Sequence, residues 1–331
     1  MGRTLPRTPR RVAVGAVVMG ALVLAACGSS SPTSSSSSGG AQSSQPTLQS
    51  NIAAEVPAAL KAKGSIQVGT DTTYAPNEFI DPASNKPVGW EVDLAGALGK
   101  VLGIPLVVTT ADFSTIIPNL GTRFDIGISS FTPTTEREKT VDFVTYYQAG
   151  EAWFIKKGGP TISQAADMCG KSVAVQTGTT EESDAWGYMG KKPDGSAIAG
   201  DADNCQKAGK QDITVHSFTK QTEANSDVIG GRAQVGWSDE PVARYQIKLQ
   251  PDQLTLSGSA CSVAPYGIAI PKGSAMAQAL TDAIKYLIDN GFYTSILAQW
   301  NVQSGAVKSS DVALNKNDSG GAGGASCVPS Y

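Results

Sequence analysis

Strand and helix patterns alternate regularly along the chain between Ser65 and Trp300. A β-rich run at 66–70 precedes residues 91–102, whose apolar side chains recur at helical spacing and stop at Gly103. The alternation continues with predicted strands at 106–109, 124–129, 172–176, 213–216, 233–237 and 266–270, and predicted helices at 113–120, 180–189, 219–229, 241–249, 275–290 and 292–300. This pattern predicts an α/β protein in which helices flank parallel strands, in two copies.

The first 26 residues have the charge order of a secretory signal peptide. Four arginines precede an apolar run at 12–26, which is too short for a membrane span. Leu24-Ala25-Ala26-Cys27 then resembles the bacterial lipobox, in which the cysteine becomes the lipidated N-terminus. An ordinary signal peptide cleaved nearby is the alternative. The Arg10-Arg11 pair leaves open whether export is general or twin-arginine.

A serine-rich segment follows Cys27. Eleven of the 22 residues at 29–50 are serine, and such a segment buries too little apolar area to offset the entropy of ordering it. We therefore predict a lipoprotein signal peptide over 1–26 and a lipidated tether over 27–62, with palmitate among the lipids on Cys27. The folded part would then be anchored on the extracytoplasmic face of the cell membrane.

Composition excludes several classes of protein. The chain has 26 basic and 29 acidic residues, so nothing in its charge indicates nucleic-acid binding. Its only histidine is His216, which argues against a His-rich metal site or a His-based relay. We expect no metal, no cofactor and a monomer.

Four further cysteines follow Cys27, and an even number in an exported chain favours disulfides. Their spacing matches no zinc motif. Three connectivities are open, and we predict Cys169–Cys205 and Cys261–Cys327. The first pair brackets one compact α/β stretch, and the second would attach the C-terminal tail to the body.

Polar loops that follow predicted strands are the candidate ligand site, because ligands of open α/β sheets bind beyond the carboxyl ends of strands. Arg137 offers a planar fork for a carboxylate, and Asp239 suits an ammonium group. Together they match an amino-acid zwitterion, whose charges must be paired once water is excluded. Each residue also has a plainer interpretation: Thr179 and Asp239 as N-caps, and Arg137 as a solvated helix residue beside Glu136 and Glu138.

Six segments in the body of the chain carry a family resemblance. They are Val68-Gly69-Thr70-Asp71-Thr72-Thr73-Tyr74-Ala75-Pro76-Asn77-Glu78-Phe79, Val88-Gly89-Trp90-Glu91-Val92-Asp93-Leu94-Ala95, Phe124-Asp125-Ile126 to Arg137, Val141-Asp142-Phe143, Gln176-Thr177-Gly178-Thr179-Thr180 and Ala264-Pro265-Tyr266-Gly267-Ile268-Ala269. In this order they resemble family 3 of the extracellular solute-binding proteins, which serve polar amino-acid ABC importers. The resemblance covers about Ser65 to Trp300.

The resemblance implies the type II periplasmic-binding-protein fold, in which two α/β lobes joined by a two-strand hinge close on a ligand like a flytrap. Lobe 1 would comprise 63–150 and 259–303, lobe 2 would comprise 151–258, and 304–331 would form a C-terminal tail. The chain would cross near 150–153 and return near 257–261.

The resemblance also implies roles for individual residues. Arg137 would clamp the ligand carboxylate, and Asp239 would take its ammonium. Tyr74 and Trp90 would wall the side-chain pocket, while Asn77 departs from a pattern in which an aromatic residue is common. The implied ligand-binding residues are Asp71, Tyr74, Asn77, Trp90, Ile116, Ser129, Ser130, Thr132, Arg137, Gly178, Thr179, Thr180 and Asp239.

We therefore expect a membrane-anchored component that captures a polar amino acid and delivers it to an ABC permease, and that is not an enzyme. Two alternatives are an enzyme on the same fold, such as a dehydratase of a cyclic amino-acid precursor, and a sensory amino-acid receptor. The side chain of the ligand is left open. Asp71 and Glu78 favour a basic one, whereas Asn77 suits an amide.

Overall fold

A computed structural model describes residues 45–316 and 326–328 of the 331-residue chain. The predicted signal peptide, Cys27 and residues 28–44 of the predicted tether lie outside the described residues. No helix among the described residues is both long and apolar enough to cross a bilayer.

The described residues form eleven strands. The strands are β1 (Ile66–Thr70), β2 (Thr73–Tyr74), β3 (Glu78–Asp81), β4 (Lys86–Val88), β5 (Leu106–Thr110), β6 (Ile126–Phe131), β7 (Val141–Lys156), β8 (Ser172–Gln176), β9 (Thr214–Phe218), β10 (Val235–Asp239) and β11 (Leu254–Pro271).

The α-helices of the same part of the chain alternate with these strands. They are α1 (Ser50–Glu55), α2 (Ala58–Lys63), α3 (Trp90–Leu102), α4 (Phe113–Ile116), α5 (Thr135–Glu138), α6 (Thr180–Gly187), α7 (Asn204–Lys207), α8 (Gln221–Ile229), α9 (Glu240–Leu249), α10 (Met276–Asp289) and α11 (Phe292–Trp300).

The large sheet has the order β5-β1-β6-β11-β7-β10-β8-β9. Strands β5, β1 and β6 are parallel and form what we call the first parallel group, and β10, β8 and β9 form the second parallel group. The two parallel groups agree with the predicted two copies. They belong to one continuous sheet, however, because the long antiparallel pair β7 and β11 joins them.

Strands β7 and β11 pair from Lys156 and Leu254 at one end to Val141 and Pro271 at the other. The segments predicted to carry the chain between lobes, 150–153 and 257–261, lie in the middle of this pair. There Ser257 is opposite Trp153, with register shifts immediately beyond Ser257. The lobe boundaries themselves stay a prediction.

Separate apolar clusters cover the two parallel groups. Leu98 of α3 and Leu280 of α10 are fully buried in the largest cluster, against the first group. Val173, Val175 and Trp237 are fully buried in another cluster, in the second group. Each parallel group therefore has a core of its own, as expected for strands covered by helices.

The predicted tether differs from the structure at its C-terminal end. Residues 50–63 form α1 and α2, and Ile52 and Val56 are buried in the largest cluster. The N–H of Gln49 donates to the Val101 carbonyl at 3.0 Å. These two helices form because their apolar side chains, which recur at helical spacing, cover the surface of the largest cluster.

Both predicted disulfides are present. The Cα atoms of Cys169 and Cys205 lie 5.5 Å apart, and those of Cys261 and Cys327 lie 4.9 Å apart. The second bond attaches residues 326–328 of the tail to β11. Earlier in the tail, Leu314 forms a bridge with Val144, so residues near 314 also pack on the body.

Candidate functional site

Four strands of the parallel groups end around one cavity. Asp71 follows β1, Ser130 lies near the end of β6, Gln176 ends β8 and Asp239 ends β10. The two parallel groups run in opposite directions within the sheet, so their carboxyl ends face each other across the cavity. Ligands of α/β proteins bind beyond the carboxyl ends of strands. The residues that line the cavity are Asp71, Tyr74, Phe113, Ser129, Ser130, Thr132, Arg137, Gln176, Thr179, Thr180, Glu181 and Asp239.

Most of the residues implied by the family resemblance are brought together here. Those that line the cavity are Asp71, Tyr74, Ser129, Ser130, Thr132, Arg137, Thr179, Thr180 and Asp239. Asn77, Trp90, Ile116 and Gly178 do not line it, and the first three are completely buried. Contact between these four residues and a ligand stays a prediction.

Arg137 is fixed by main-chain carbonyls from both parallel groups. Its Nη1 donates to the carbonyl of Thr132 at 2.8 Å, and its Nη2 donates to that of Gly178 at 2.9 Å. The neighbouring Glu136 pairs with Lys139 instead of Arg137. The guanidinium is therefore held at the cavity wall, in contrast to the solvated-helix interpretation.

Two stacked phenylalanine rings support the Arg137 guanidinium. Phe113 and Phe131 have ring centroids 4.8 Å apart, and the guanidinium carbon lies 5.4 Å and 5.9 Å from those centroids. Burial lowers the pKa of Arg137 to about 10, with Glu181 and Asp239 acting in the opposite direction. Arg137 therefore stays cationic at neutral pH, and the aromatic faces stabilise that charge.

Asp239 ends β10 and precedes α9. Its Oδ2 accepts a hydrogen bond from the Tyr74 hydroxyl at 2.8 Å, and its own N–H donates to that hydroxyl oxygen at 3.1 Å. Its side chain makes no N-cap bond to α9, so the plain N-cap interpretation does not describe it. Burial raises the pKa of Asp239 to about 6, although the nearby Tyr266 hydroxyl and the hydrogen bond from Tyr74 favour the carboxylate.

Thr179, by contrast, does cap a helix. Its hydroxyl accepts from the N–H of Glu182 at 3.2 Å and donates to the Gln176 carbonyl at 2.7 Å. Helix α6 therefore begins beside the cavity with its first N–H groups directed N-terminally, which favours an anion there. The same residue thus serves as an N-cap and as part of the cavity wall.

The Asp71 carboxylate is saturated by protein donors. Its Oδ1 accepts from the N–H and the hydroxyl of Thr73, at 3.0 Å and 2.7 Å. Its Oδ2 accepts from the Phe113 N–H at 2.9 Å and from Gln176 Nε2 at 2.7 Å. Burial raises the pKa of Asp71, and these bonds oppose that rise.

The Glu181 carboxyl group, unlike that of Asp71, accepts few hydrogen bonds from the described residues. Glu181 is 2% exposed, its Oε2 accepts only a 3.3 Å bond from the Thr180 hydroxyl, and its Oε1 has no hydrogen-bond partner among the described residues. Burial, followed by repulsion from Asp239, raises the pKa of Glu181 well above its ordinary value. A buried carboxyl oxygen without a partner can readily accept a cationic or donor group of a ligand.

Sequence reasoning did not place Phe113, Gln176 and Glu181 among the site residues. Gln176 was visible as the last residue of a predicted strand, and Glu181 as the second residue of the helix that follows. Ligands of α/β proteins bind beyond the carboxyl ends of strands, so both residues would have been included if the end of every predicted strand had been considered. Phe113 begins α4 after β5, so the same rule reaches it less directly.

Comparison with known proteins gives one family. The model of the bacterial extracellular solute-binding proteins, family 3, matches residues 66–303. The arginine-binding protein ArgT of Corynebacterium glutamicum is 30% identical over 304 residues, covering 91% of this chain and 95% of that protein.

Solved structures agree with this match. An ancestral arginine-binding protein bound to arginine has a TM-score of 0.63 and 32% identity, covering 72% of this chain and 98% of its own. The ancestral amino-acid-binding protein AncCDT-1, a precursor of cyclohexadienyl dehydratase, has a TM-score of 0.61 and 30% identity, covering 73% and 97%.

These similarities confirm the predicted fold class, the α/β fold of type II periplasmic-binding proteins, and they agree with a solute-binding role. The match extends from β1 to β11 and so includes the four strands that end at the cavity. The chain belongs to family 3 of the bacterial extracellular solute-binding proteins.

Proposed function

We propose that this protein captures an amino acid with a cationic side chain in the described cavity and delivers it to the permease of an ABC importer. The proposal rests on the charged groups of the cavity wall. Three carboxyl groups, those of Asp71, Glu181 and Asp239, share this wall with one guanidinium, that of Arg137. An amino-acid zwitterion pairs its α-carboxylate with the guanidinium and its α-ammonium with one of the carboxyl groups. Two carboxyl groups then remain for the side chain.

The α-carboxylate of the ligand binds Arg137. The guanidinium is charged, held on two carbonyls and adjacent to the N-terminus of α6. A planar fork next to free main-chain N–H groups suits a carboxylate better than any other common anionic group of this size. Thr132 and Thr179, which also line the cavity, assist from either side.

The α-ammonium of the ligand binds Asp239. Tyr74 occupies one oxygen of that carboxylate, and the ammonium replaces or joins the Tyr74 hydroxyl as donor. The Thr132 hydroxyl and the Ser130 carbonyl complete the site, as the family resemblance implies. Both α-groups need a partner because binding in the cavity takes them out of bulk water.

The cationic side chain binds Glu181. Asp71 already accepts four protein hydrogen bonds, whereas Glu181 Oε1 accepts none from the described residues. Arginine-binding proteins are among the relatives, which supports the same side-chain class.

Binding, and not turnover, is the proposed activity, and the lipid anchor at Cys27 is part of the proposal. The family consists of binding proteins, but AncCDT-1 is a precursor of a dehydratase, so turnover has to be tested directly. Carboxyl groups with raised pKa values, such as Asp239 and Glu181, are the groups that such chemistry would use.

A thermal-shift screen of the twenty amino acids, read for ligand-dependent stabilisation, tests the ligand class. We expect arginine or lysine to stabilise the protein most. Stabilisation by glutamine or glutamate alone would contradict the cationic assignment. In parallel, product analysis after incubation with each stabilising ligand should show unchanged amino acid, and any released product would replace the binding role with an enzymatic one.

A further inference from the structure

Asn77 lies behind the cavity wall, with its amide engaged entirely within the protein. It is fully buried, its Oδ1 accepts from the Trp90 indole N–H at 2.7 Å, and its Nδ2 donates to the Ser130 hydroxyl oxygen at 2.8 Å. The amide therefore bridges the start of α3 and the end of β6 instead of presenting itself to a ligand.

Ser130 has an unusual backbone conformation. Its φ is +53°, in the left-handed region that L-residues other than glycine adopt only at a cost. The residue lies near the end of β6, which is buried along its whole length. Such a conformation persists only where surrounding contacts determine it.

Glu91 supplies most of those contacts. Its Oε2 accepts from the Ser130 N–H at 3.1 Å, and its Oε1 accepts from the Ser130 hydroxyl at 2.9 Å. The Tyr146 hydroxyl donates to the same Oε1 at 2.5 Å. Glu91 is 1% exposed, so both of its oxygens are committed to this buried network. Together with Asn77, it holds both the main chain and the side chain of Ser130.

The conformation of Ser130 sets the path of the chain along the cavity. Ser129, Ser130 and Thr132 line it, and the Thr132 carbonyl accepts a hydrogen bond from Arg137. A change of φ at Ser130 would therefore displace Thr132 and the guanidinium bound to it. A displacement of about 1 Å in a binding group is enough to reduce affinity substantially.

We propose that Asn77 and Glu91 are positioning residues, which hold Ser130 in the left-handed conformation and thereby place segment 129–132 for ligand binding. This inference rests on the proposed function, because it takes that segment to contact the ligand. Neither residue has to touch the ligand for this role. Each acts through Ser130.

The test is a coupling experiment between residue 77 and residue 130. The dissociation constant of the stabilising amino acid is measured by calorimetry for Asn77→Leu, in the wild-type chain and in the Ser130→Gly background. We expect Asn77→Leu to weaken binding by about tenfold in the wild-type chain, from the lost buried hydrogen bonds. The loss should be clearly smaller in the Ser130→Gly background, because glycine adopts the left-handed conformation without support. Equal losses in the two backgrounds would overturn the inference.

Asn225→Leu is the matched control, since Asn225 is another buried asparagine that bonds two side chains, Gln221 and Gln246, away from the cavity wall. It should lower the melting temperature without weakening binding. Weakening equal to that of Asn77→Leu would assign the effect to general destabilisation and overturn the inference.

If Asn77→Leu does not fold, the dissociation constant of Glu91→Gln in the same two backgrounds tests the coupling to Ser130 instead. A smaller loss with Ser130→Gly supports the inference, and equal losses overturn it. The proposed function fails separately: a wild-type chain that binds no amino acid would contradict the function and this inference together, whereas a binding-competent wild type without coupling contradicts the inference alone.

Discussion

The hydroxyl of Tyr74 donates a hydrogen bond to the carboxylate of Asp239 and accepts one from the Asp239 N–H, at 2.8 Å and 3.1 Å. The two residues are 165 positions apart: Tyr74 comes shortly after β1 of the first parallel group, and Asp239 ends β10 of the second. Their contact links the two sides of the cavity directly. A second link of this kind joins Gln176 to Asp71 at 2.7 Å.

We predict that Tyr74→Phe weakens amino-acid binding and shifts its pH dependence upward. The Tyr74 hydroxyl stabilises the carboxylate form of Asp239, so its removal raises the pKa of Asp239 above its present value of about 6. Calorimetric titrations from about pH 8 to about pH 5 measure both effects. An unchanged midpoint of the affinity profile would show that Asp239 does not bind the ammonium.

In the wild-type protein, affinity should fall as the pH is lowered through about 6. The ammonium pairs with the ionised form of Asp239, whose pKa burial raises to about 6. Protonation of Glu181, whose pKa burial also raises, removes a partner of the cationic side chain as well. An affinity that is constant between about pH 7 and about pH 5 would contradict the pairing of the ammonium with Asp239.

The stability of the ligand-free protein should change in the opposite direction over the same range. Asp239 and Asp184 have pKa values raised from 3.8 to about 6, so the folded state binds their protons more tightly than the unfolded state. Their contribution to the free energy of unfolding is fully present below the unfolded pKa and is lost as the pH rises through about 6. Calorimetry should therefore give a higher melting temperature for the ligand-free protein at about pH 5 than at about pH 7. The increase in melting temperature on addition of the ligand should be smaller at about pH 5.

Much of the fold could be predicted because local patterns determine it. β1, β8 and α11 have the predicted bounds, since each is a short apolar or amphipathic run ended by a glycine or a polar turn. The lengths of β7 and β11 could not be predicted in the same way. Gly150 and Gly258 interrupt their patterns, and only pairing with each other extends these strands to 16 and 18 residues.

The site residues, like the strands, could be predicted only where a local pattern identifies them. Arg137 and Asp239 could be identified because charged residues after strands stand out in a sequence. The position of Asn77 could not, because a polar residue in a ligand-facing motif gives no sign that its amide is used by Trp90 and Ser130. The importance of Glu181 also depends on a tertiary fact, namely that Asp71 is already saturated.

We predict that Arg137→Ala weakens binding by about 2 to 4 kcal/mol, because it leaves a buried ligand carboxylate unpaired. Isothermal calorimetry with the stabilising amino acid provides the measurement. Arg244→Ala is the matched control, since Arg244 is exposed and pairs with Glu240 in α9. Equal effects of the two substitutions would refute the role of Arg137.

Cys27→Ser should release the protein from the membrane without affecting ligand binding, because the proposed lipid is attached to the cysteine sulfur and the binding cavity belongs to the folded body. Fractionation of cells and labelling with a palmitate analogue measure anchoring. Cys169→Ser, which breaks a disulfide without touching Cys27, is the control. If Cys27→Ser stays in the membrane fraction, the lipoprotein assignment is wrong.

The central claim, that a carboxylate-lined cavity selects a cationic amino acid, is tested most directly by calorimetric comparison of arginine with citrulline. Citrulline has nearly the shape of arginine, but a neutral ureido group replaces the guanidinium. Because Glu181 would lose its charged partner, we predict that citrulline binds at least about tenfold more weakly at neutral pH, and that Glu181→Gln reduces this difference. Equal affinity for the two ligands, or a difference unaffected by Glu181→Gln, would contradict the account.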